Sequence, residues 1–566
     1  MTDKTDYSDW PKEDLVKEIK KLKKRKRYGI VWEEEKTKEK FDKESEGKLP
    51  ILKEVKGKEI QTNGNIPTNI LIEGDNFHAL SVLNYTHKGK IDVIYIDPPF
   101  NTGNKSWKYN NKFVERDDAF KHSKWISFIS KRLRLAKNLL KNSGIIIVAI
   151  DDYEIHTLRS LMDEIFEESN RLGTITVVHN PRGRNDDKYF ATMHEYMLIY
   201  SLKPESTSVG YFELTEEDVN SFNMTDEISQ YNLTSFMRTG NNSDRETRPN
   251  LFYSIYYNPK TNNLDLKKNS NSIELLPVNN SGEEKTWRWG EKTFLEKKDT
   301  ELVVKKVKEV YRVFKKRRLT NLKGKKPRTV WYAPRYDASS HGIMILQKMF
   351  HKKNIFPYPK SLWTVFDILK LVTEKDSSIL DFFAGSGTTG HAVLELNKED
   401  GGNRQFILST NNEGQICTEV CYPRVKKVIQ GYTNTKNEKV KGLGGNLKYF
   451  KTDFVDGEPT DKNKKKLVEQ CTEILCLRED CFEEIKHTKN YSVFKNHEDK
   501  YLGIIYDDDG IEPLKKQIKT LGKKFNVYVF SLDDSAREEE FEDVKGMVDL
   551  KPIPEVILNV YRRIFK

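Results

Sequence analysis

Short apolar runs alternate with amphipathic stretches over residues 68–204 of this chain. The apolar runs predict a strand and turn at 71–75 and further strands at 91–96, 144–150, 175–178 and 196–202. Apolar residues recur at helical spacing over 119–142, which predicts an amphipathic helix. Asp151 and Asp152 are suitable N-caps for a second helix that ends at Phe166. Strands that alternate with helices indicate a mostly parallel α/β sheet.

The same alternation returns over residues 341–435, with a strand predicted at 406–408 and a helix at 419–430. The intervening residues are rich in Asn, Ser, Tyr, Lys and Arg and have few apolar runs. We therefore expect one sheet built from two separate halves, with an insertion between them. The predicted segments are a helical arm and connector at 1–67, the two halves at 68–204 and 341–435, the insertion at 205–340, a polar linker at 436–466 and a small C-terminal α/β domain at 467–566.

Charge and cysteine content limit the class of protein. The 566 residues carry 97 Lys and Arg against 86 Asp and Glu, and the net charge of +11 permits a polyanionic partner without requiring one. Eight basic residues and no acid lie within 315–328. A lysine-rich helical pattern over 12–28 fits a solvated surface helix, a dimer contact or an arm that faces DNA.

Five cysteines, an odd and sparse count, indicate a reducing cytoplasm and no disulfide scaffold. Cys417 and Cys421 have no second Cys or His pair at the spacing of a zinc site, so we expect no metal. No apolar run approaches the ~20 residues that a membrane-spanning helix needs. We therefore expect a soluble, cytoplasmic protein that does not bind membranes.

Asp97-Pro98-Pro99-Phe100 directly follows the predicted strand at 91–96. Each proline has a fixed φ and no N–H group, so this turn accepts hydrogen bonds but hardly donates them. A carboxylate, proline carbonyls and an aromatic ring suit the exocyclic amino group of a planar base, which donates two hydrogens while its ring stacks. The plainer alternative is a strand that stops at a Pro-Pro turn.

A glycine-rich turn lies between a predicted strand and a predicted helix. Its sequence is Asp381-Phe382-Phe383-Ala384-Gly385-Ser386-Gly387-Thr388-Thr389-Gly390. Glycines let the backbone approach a ligand, and the N-terminus of the following helix faces that ligand. This arrangement suits a nucleotide-like cofactor, although the same spacing also joins strands to helices in other α/β proteins.

Together, the two motifs resemble those of the amino-methyltransferases that use S-adenosyl-L-methionine (AdoMet). Their order, with the tetrapeptide first, resembles the β class of DNA methyltransferases. Further segments are similar to those of the modification (Mod) subunits of type III restriction–modification systems, at 28–33, 71–76, 356–361, 404–408, 410–413 and 422–424. The resemblance implies a Rossmann-like sheet in circularly permuted order, methyl transfer to adenine N6 in double-stranded DNA, a homodimer and a separate ATP-dependent restriction (Res) subunit.

The resemblance also implies roles for individual residues. Asp97 and the Pro98 carbonyl would accept the two hydrogens of the adenine amino group, and Phe100 would stack on a base flipped out of the duplex. Pro99 completes this tetrapeptide, and aspartate at its first position favours adenine N6 over cytosine N4. The residues implied in cofactor binding are Asp75, Lys360, Asp381, Phe383, Gly385, Gly387 and Asn411, the last in place of a glutamate that the family often has. Core packing is the alternative for Phe383.

The insertion is predicted to recognise the DNA target, because it lies between the two catalytic halves. Basic side chains neutralise phosphates, and polar or aromatic groups reach base edges. The predicted DNA contacts are Arg182, Arg184, Lys315, Lys316, Arg317, Arg318, Lys323, Lys325 and Lys326. The alternative is an irregular surface insertion with incidental charge.

Further motifs bear on other possible functions. No Gly-x-x-x-x-Gly-Lys-(Ser/Thr) sequence occurs, so the chain is not a P-loop helicase. Glu484-Ile485-Lys486 has the Glu-x-Lys form of nuclease sites but lacks a Pro-Asp partner on a strand. An orphan regulatory methyltransferase, a DNA-binding protein on a non-catalytic methyltransferase fold and an RNA methyltransferase stay open as alternatives.

Overall fold

The structure is a computed structural model that describes residues 11–16, 30, 32, 48–62, 65–102, 104–109, 112–115, 118–184, 187–456, 458, 460, 470–530, 535–553 and 557, with backbone alone at 104–109 and 112–115. The helix predicted over 12–28 lies mostly outside these residues. The chain forms two compact units, one of Met1–Gly210 with Arg328–Lys566 and one of Tyr211–Pro327. Within the described part of the chain, no helix is long and apolar enough to cross a membrane.

The first unit begins with the elements of the first sheet half. They are β1 (Lys48–Glu54), β2 (Thr68–Glu73), α1 (Asn76–Thr86), β3 (Ile91–Ile96), β4 (Asn104–Tyr109), β5 (Lys112–Glu115), α2 (Lys121–Lys137), β6 (Leu140–Ile150), α3 (Ile155–Phe166), β7 (Arg171–Val178) and β8 (His194–Ser201). The helix predicted over 119–142 is shorter, because the residues from Leu140 onward enter β6. The predicted N-caps Asp151 and Asp152 are wrong, because Glu154 occupies the N-cap position of α3 and the Asp151 carboxylate instead accepts from Tyr153 N at 3.0 Å in a turn.

The second unit has its own aromatic core. Its elements are α4 (Glu216–Asn220), β9 (Met224–Thr225), β10 (Gln230–Ser235), β11 (Ile255–Asn258), β12 (Asn263–Asp265), β13 (Ile273–Leu275), α5 (Glu291–Glu301), β14 (Leu302–Val307) and β15 (Val310–Arg318). They form one sheet in the order β14-β15-β10-β9 and another in the order β12-β11-β13. Phe236 stacks on Trp287 in the core, with ring centroids 5.3 Å apart. The two ends of the unit meet, because Phe212 and Lys325 exchange backbone hydrogen bonds of 2.9 and 2.7 Å.

The first unit then completes a ten-stranded sheet. The added elements are β16 (Val330–Trp331), α6 (Met344–Phe350), α7 (Leu362–Val372), β17 (Ser378–Asp381), α8 (Thr388–Asp400), β18 (Gln405–Thr410), α9 (Tyr422–Gln430), β19 (Gly431–Thr433), β20 (Lys439–Lys441) and β21 (Asn446–Asp456). The strand order is β1-β21-β2-β18-β17-β3-β6-β8-β7-β16. The run from β21 to β6 is parallel throughout, so the predicted mostly parallel sheet is confirmed.

The predicted linker at 436–466 is wrong, because it contains the whole of β21. This strand pairs in parallel with β2 and antiparallel with β1, which itself lies in the predicted connector. Leu447, Tyr449 and Phe450 are buried along β21. Lysines at 448 and 451 interrupt the apolar run, so composition alone does not reveal the strand.

The order of the sheet reverses between β3 and β17. From β3 the chain continues through α2 to β6 on one side, and from β17 it continues through α8 to β18 on the other side. Although β17 comes far later in the chain, it lies next to β3, so the predicted permuted order is confirmed. Open α/β sheets bind ligands outside the carboxyl ends of their strands at such a reversal.

The C-terminal segment forms a five-stranded sheet in the order β22-β23-β24-β25-β26. Its elements are α10 (Thr472–Glu479), β22 (Glu483–His487), β23 (Tyr491–Lys495), β24 (Tyr501–Ile505), α11 (Ile511–Leu521), β25 (Phe525–Phe530) and β26 (Val548–Ile553). Ile474 and Leu475 of α10 share one hydrophobic core with Leu80 of α1 and Ile51 of β1. The C-terminal segment is therefore packed onto the main sheet through apolar contacts.

Candidate active site

The tetrapeptide leaves the sheet at the carboxyl end of β3, and hydrogen bonds from two other segments fix its shape. Trp125 of α2 donates its indole N–H to the Pro99 carbonyl at 2.6 Å. Asn101, which has a left-handed φ of 56°, donates its amide to Glu154 Oε1 at 2.5 Å. The Pro99 carbonyl is therefore occupied, whereas no described residue donates to the Pro98 carbonyl.

The glycine turn leaves the sheet at the carboxyl end of β17. Asp381 is buried, and its carboxylate accepts from Phe383 N at 2.9 Å and from Thr389 Oγ1 at 2.5 Å. Gly385 and Gly387 have φ values of 50° and 78°, in the left-handed region that favours glycine. Among the described residues, no side chain caps the N-terminus of α8, which begins directly after the turn, so the N–H groups of its first turn lack a side-chain acceptor there.

Two carboxyl groups share this edge of the sheet, because β3 and β17 are parallel neighbours. Burial, reinforced by the charge of Asp97 and opposed by hydrogen bonds, raises the pKa of Asp381 to about 7. The Asp97 side chain is 25% exposed. Burial of the remainder raises the pKa of Asp97 to about 6, with Lys360 opposing the rise and Glu195 adding to it. The edge therefore presents two carboxyl groups that change charge near neutral pH.

Lys360 lies just before α7 and joins the tetrapeptide to β8. Its Nζ lies 3.2 Å from Asp97 Oδ1, forms an ion pair with Glu195 and stands 4.4 Å from the centroid of the Phe100 ring. Burial disfavours the charge on Lys360, but the two carboxylates outweigh this effect and raise the pKa of Lys360. A residue predicted to bind the cofactor thus contacts the predicted catalytic carboxylate.

Glu195 was missed by the sequence analysis. It is 3% exposed at the start of β8 and shares the Lys360 ammonium with Asp97. Its only signal in the sequence is an acidic residue at the entrance to an apolar strand. Because Glu195 and Lys360 come from opposite sides of the insertion, their contact is a product of the tertiary fold.

Asp75 stands at the carboxyl end of β2 and caps α1. Its carboxylate accepts from Phe77 N at 2.7 Å and lies 3.3 Å from Arg132. The next residue, Asn76, donates its amide to the Phe382 carbonyl at 2.9 Å. This bond links the segment that contains Asp75 to the glycine turn, so the two predicted parts of the cofactor site are joined.

Asn411 and Phe383 complete the predicted cofactor residues. Asn411 is exposed just beyond β18, and its side chain accepts from Glu413 N at 3.3 Å. Phe383 is half-buried, and its ring centroid lies 5.8 Å from that of Phe128, so it also packs against the core. The structure brings all seven predicted residues to or beside the carboxyl edge of the parallel strands.

Arg424 of α9 supports the glycine turn from its buried side. The guanidinium donates to Ser386 Oγ at 3.0 Å and to Thr388 Oγ1 at 2.9 Å, and it lies 3.3 Å from His391 Nδ1. No carboxylate pairs with Arg424 among the described residues, and burial lowers its pKa to about 10. In the sequence, Arg424 stands out only as part of the segment at 422–424 that is similar to Mod subunits, which predicts no role for its side chain.

The basic stretch of the second unit divides into buried and exposed residues. Arg318 is 3% exposed and pairs with Asp226 at 2.8 Å and with Glu301 at 2.7 Å. Lys316 also pairs with Asp226 at 2.7 Å, and the two cations hold the pKa of Asp226 well below its usual range. Arg318 and Lys316 are therefore corrected: acids from elsewhere in the unit satisfy them, and they are not available to DNA phosphates.

The other predicted DNA contacts are more accessible. Lys325 pairs with Asp218 at 3.1 Å, and the Lys315 ammonium lies 4.9 Å from the Trp289 ring centroid. The exposed members of the predicted set are Arg317, Lys323 and Lys326 in the second unit and Arg182 and Arg184 in the first. Of the predicted phosphate contacts, these five residues are the ones whose side chains are exposed to solvent.

The remaining motifs show no site of their own in the described residues. All five cysteines are buried free thiols. No group of three or more His, Cys, Asp or Glu side chains in the described ranges has the arrangement to hold a metal ion. Glu484 and Lys486 lie on the exposed edge strand β22.

Comparison with known proteins adds an independent observation. The family model described as "DNA methylase" (N6_N4_Mtase) matches residues 91–420, a range that spans both Asp97 and Asp381. The chain is 33% identical over 433 residues to the type III restriction-modification enzyme EcoPI Mod subunit of Escherichia phage P1, covering 69% of this chain and 67% of that protein. It is 34% identical over 384 residues to the type II methyltransferase M.KpnI of Klebsiella pneumoniae, covering 68% and 90%. The solved M1.HpyAVI–SAM complex aligns with 63% of this chain and 97% of its own, at 14% identity and a TM-score of 0.28.

Proposed function

This chain belongs to the DNA methylase family, and on that premise we propose that it transfers a methyl group from AdoMet to adenine N6 in double-stranded DNA. One observation carries the proposal: Asp97 and the Asp381 glycine turn leave adjacent parallel strands at the point where the sheet order reverses. A cofactor and a base held at these two turns would lie side by side.

The residues at this edge fit AdoMet. A Cβ atom added to Gly385 would lie 3.3 Å from Phe356, and one added to Gly387 would lie 3.2 Å from Cys421 Sγ, so a larger residue at either position would crowd the turn. For the two ends of the cofactor, this edge presents the acidic side chains of Asp75 and Asp381 and the basic side chain of Lys360. We assign cofactor binding to Asp75, Lys360, Asp381, Phe383, Gly385, Gly387 and Asn411. Bound AdoMet would supply an electrophilic methyl group on a sulfonium sulfur.

The tetrapeptide suits adenine N6. That amino group is a poor nucleophile, because its lone pair is delocalised into the ring. In the proposed reaction, Asp97 and the Pro98 carbonyl accept its two hydrogens, which directs the lone pair out of the ring plane. Phe100 offers a face on which the base stacks. The gain in rate is positional and electrostatic, and no covalent enzyme intermediate is needed.

The base must leave the duplex to reach Asp97, which costs a few kcal/mol of stacking and pairing. We propose that the exposed cations Arg182, Arg184, Arg317, Lys323 and Lys326 contact the phosphates around it. The charge on these side chains supports the assignment, since the described structure gives none of them a carboxylate partner at ion-pair distance.

The similarity to the EcoPI Mod subunit supports a role as the modification and specificity subunit of a type III system. In that role the chain would act as a homodimer in the cytoplasm, with a separate ATP-dependent Res subunit. The similar identity to M.KpnI, over 90% of that protein, favours a second candidate, a DNA methyltransferase that acts without a restriction subunit.

The proposal is tested by incubating the purified protein with unmethylated genomic DNA and AdoMet, followed by base-resolved modification sequencing. We expect N6-methyladenine at one short motif with the wild-type protein and none with Asp97→Ala purified in parallel. N4-methylcytosine instead of N6-methyladenine would refute the adenine assignment. If the protein bound AdoMet but produced no methylated base, DNA methylation by this chain alone would be refuted.

Methyl transfer is expected to depend on pH through Asp97. Because burial raises the pKa of Asp97 to about 6, its carboxylate is mostly protonated below that pH and cannot accept the second amino hydrogen. The value of kcat/KM should therefore rise with pH through about 6 and level off above 7. Initial rates of labelled methyl transfer between pH 5 and 8 would measure this, and a flat profile would contradict the role of Asp97.

A further inference from the structure

Two consecutive aromatic side chains are exposed between β7 and β8. Tyr189 is 79% exposed and Phe190 is 91% exposed, and Phe190 is the most exposed large hydrophobic side chain among the described residues. Apolar side chains this open contribute nothing to the core. Two in succession on one turn indicate a surface that meets another molecule.

Two contacts join the segments on either side of the aromatic pair. Gly183 has a left-handed φ of 73°, and an added Cβ would lie 2.7 Å from Ala191 Cβ, so the chain before and after the aromatic pair is in close contact. The Asp187 carboxylate accepts from Thr192 N at 2.7 Å, which fastens the same closure. The aromatic rings are thus presented at the tip of a closed turn.

Cations surround the aromatic pair. Arg182, Arg184 and Lys188 are exposed, and the Lys188 ammonium lies 5.0 Å from the centroid of the Tyr189 ring. No carboxylate of a described residue lies within ion-pair distance of the three. Open cations beside open aromatic rings match a nucleic acid, whose phosphates take the charge and whose bases stack on the rings.

The turn stands beside the catalytic carboxylate. Strand β7 is antiparallel to β8, which is antiparallel to β6, so β7 ends at the same edge as β3. The aromatic tip lies five residues before Glu195, whose partner Lys360 contacts Asp97. Five residues span at most about 18 Å, so Phe190 lies within reach of a duplex whose target base occupies the site.

We propose that Phe190, backed by Tyr189, enters the base stack of duplex DNA at the position that the target base vacates. The proposal rests on the proposed function, since it assumes that a base leaves the duplex to reach Asp97. A flipped base leaves a gap in the stack, and an inserted aromatic face restores the lost stacking. Arg184 and Lys188 would hold the flanking phosphates while the ring is inserted.

The test uses the full-length protein and a duplex that carries the motif found by modification sequencing, with 2-aminopurine at the target adenine. Wild-type protein should raise the 2-aminopurine fluorescence, and Phe190→Ala should abolish most of that rise. On the adenine duplex, Phe190→Ala should lower kcat/KM about 5- to 150-fold, the range that a lost stacking contact gives. Phe190→Trp should retain activity, because it keeps an aromatic face.

A second substrate separates insertion from simple contact. When the target adenine faces a mismatched base, it is already partly unstacked, so the defect of Phe190→Ala should shrink to a few-fold. The control is Ile485→Ala, which removes an exposed apolar side chain of β22 and should change neither fluorescence nor rate. Since Phe190 is 91% exposed, its replacement removes no core packing.

Three results would overturn the proposal. An equal defect on matched and mismatched duplexes would show a contact that does not fill the gap. If Phe190→Ala gave the same fluorescence rise as wild type but a smaller molar mass in light scattering, Phe190 would contact a second copy of the chain. Wild-type protein that methylates no DNA would refute the proposed function itself, a failure seen before any Phe190 variant is made.

Discussion

Asp97→Asn is expected to lower the single-turnover rate of methyl transfer about 100- to 10,000-fold, the range for loss of one electrostatic or proton-accepting group. Asparagine has the shape of aspartate but carries no charge, and its single amide oxygen cannot accept fully from both the Lys360 ammonium and the adenine amino group. AdoMet affinity should change less than about threefold, because Asp381 and the glycine turn remain. Rapid-quench measurement of labelled methyl transfer, beside calorimetric AdoMet titration, would separate the two effects.

Asp92→Asn is the matched control. Asp92 lies on the same strand as the tetrapeptide but toward its other end, where it pairs with Lys141 at 2.7 Å and accepts from Ser378 N. Its replacement removes the same charge without touching the reactive edge, so the transfer rate should stay within about twofold. A rate for Asp97→Asn above a tenth of wild type would exclude Asp97 as the acceptor that the reaction needs.

Lys360→Met is expected to destabilise the protein and to shift its pH profile upward. Lys360 is 11% exposed and is the only cation among the described residues in contact with both Asp97 and Glu195. Removal of one partner from a buried ion pair costs about 3–5 kcal/mol, because the remaining charge is left uncompensated. Without the ammonium, burial and the neighbouring carboxylate act unopposed, so the pKa of Asp97 should rise further above 6.

Urea unfolding and the pH dependence of kcat/KM measure these two effects separately. Adding Glu195→Gln to Lys360→Met should recover part of the lost stability, since it removes one of the two uncompensated charges. Lys370→Met, which breaks a more exposed pair with Glu399, should cost less than about 1 kcal/mol. If Lys360→Met weakened AdoMet binding and left the pH midpoint unchanged, Lys360 would serve the cofactor alone.

The core of the site could be predicted because it depends on local order along the chain. Asp97 and Asp381 each follow a buried strand, and the carboxyl ends of parallel strands meet at one edge. Their proximity therefore followed once both strands were assigned to one sheet. The motif resemblance supplied the strand order that periodicity alone could not give.

The supporting residues could not be predicted, because they reach the site from distant segments. Trp125, Glu154 and Glu195 lie on or beside elements that periodicity predicted, yet nothing in their local sequence indicates which group they contact. Arg424 is buried against the glycine turn, and no carboxylate in the described part of the chain pairs with it; arginine is usually exposed, so its sequence gives no hint of this arrangement. Their roles depend on side-chain contacts that only the folded chain shows.

For a related reason, the basic stretch was a poor predictor of which cations are available to DNA. Residues 315–328 contain no acid, so the sequence suggested a uniformly available patch. Strand pairing brings Asp226 and Glu301 against Arg318 from other parts of the second unit. Charge counted along the chain therefore overstated the charge that reaches solvent.

The closed ends of the second unit have an evolutionary consequence. Phe212 and Lys325 exchange two backbone hydrogen bonds, and Gly324, with a φ of 130°, lets the chain pass within contact of Phe212. The chain thus enters and leaves the second unit at one point, which these two hydrogen bonds close. The residues of this hydrophobic core all belong to the second unit. Genetic recombination on either side of that point would exchange the whole unit, with its core, for another, without altering a strand of the sheet that carries Asp97 and Asp381.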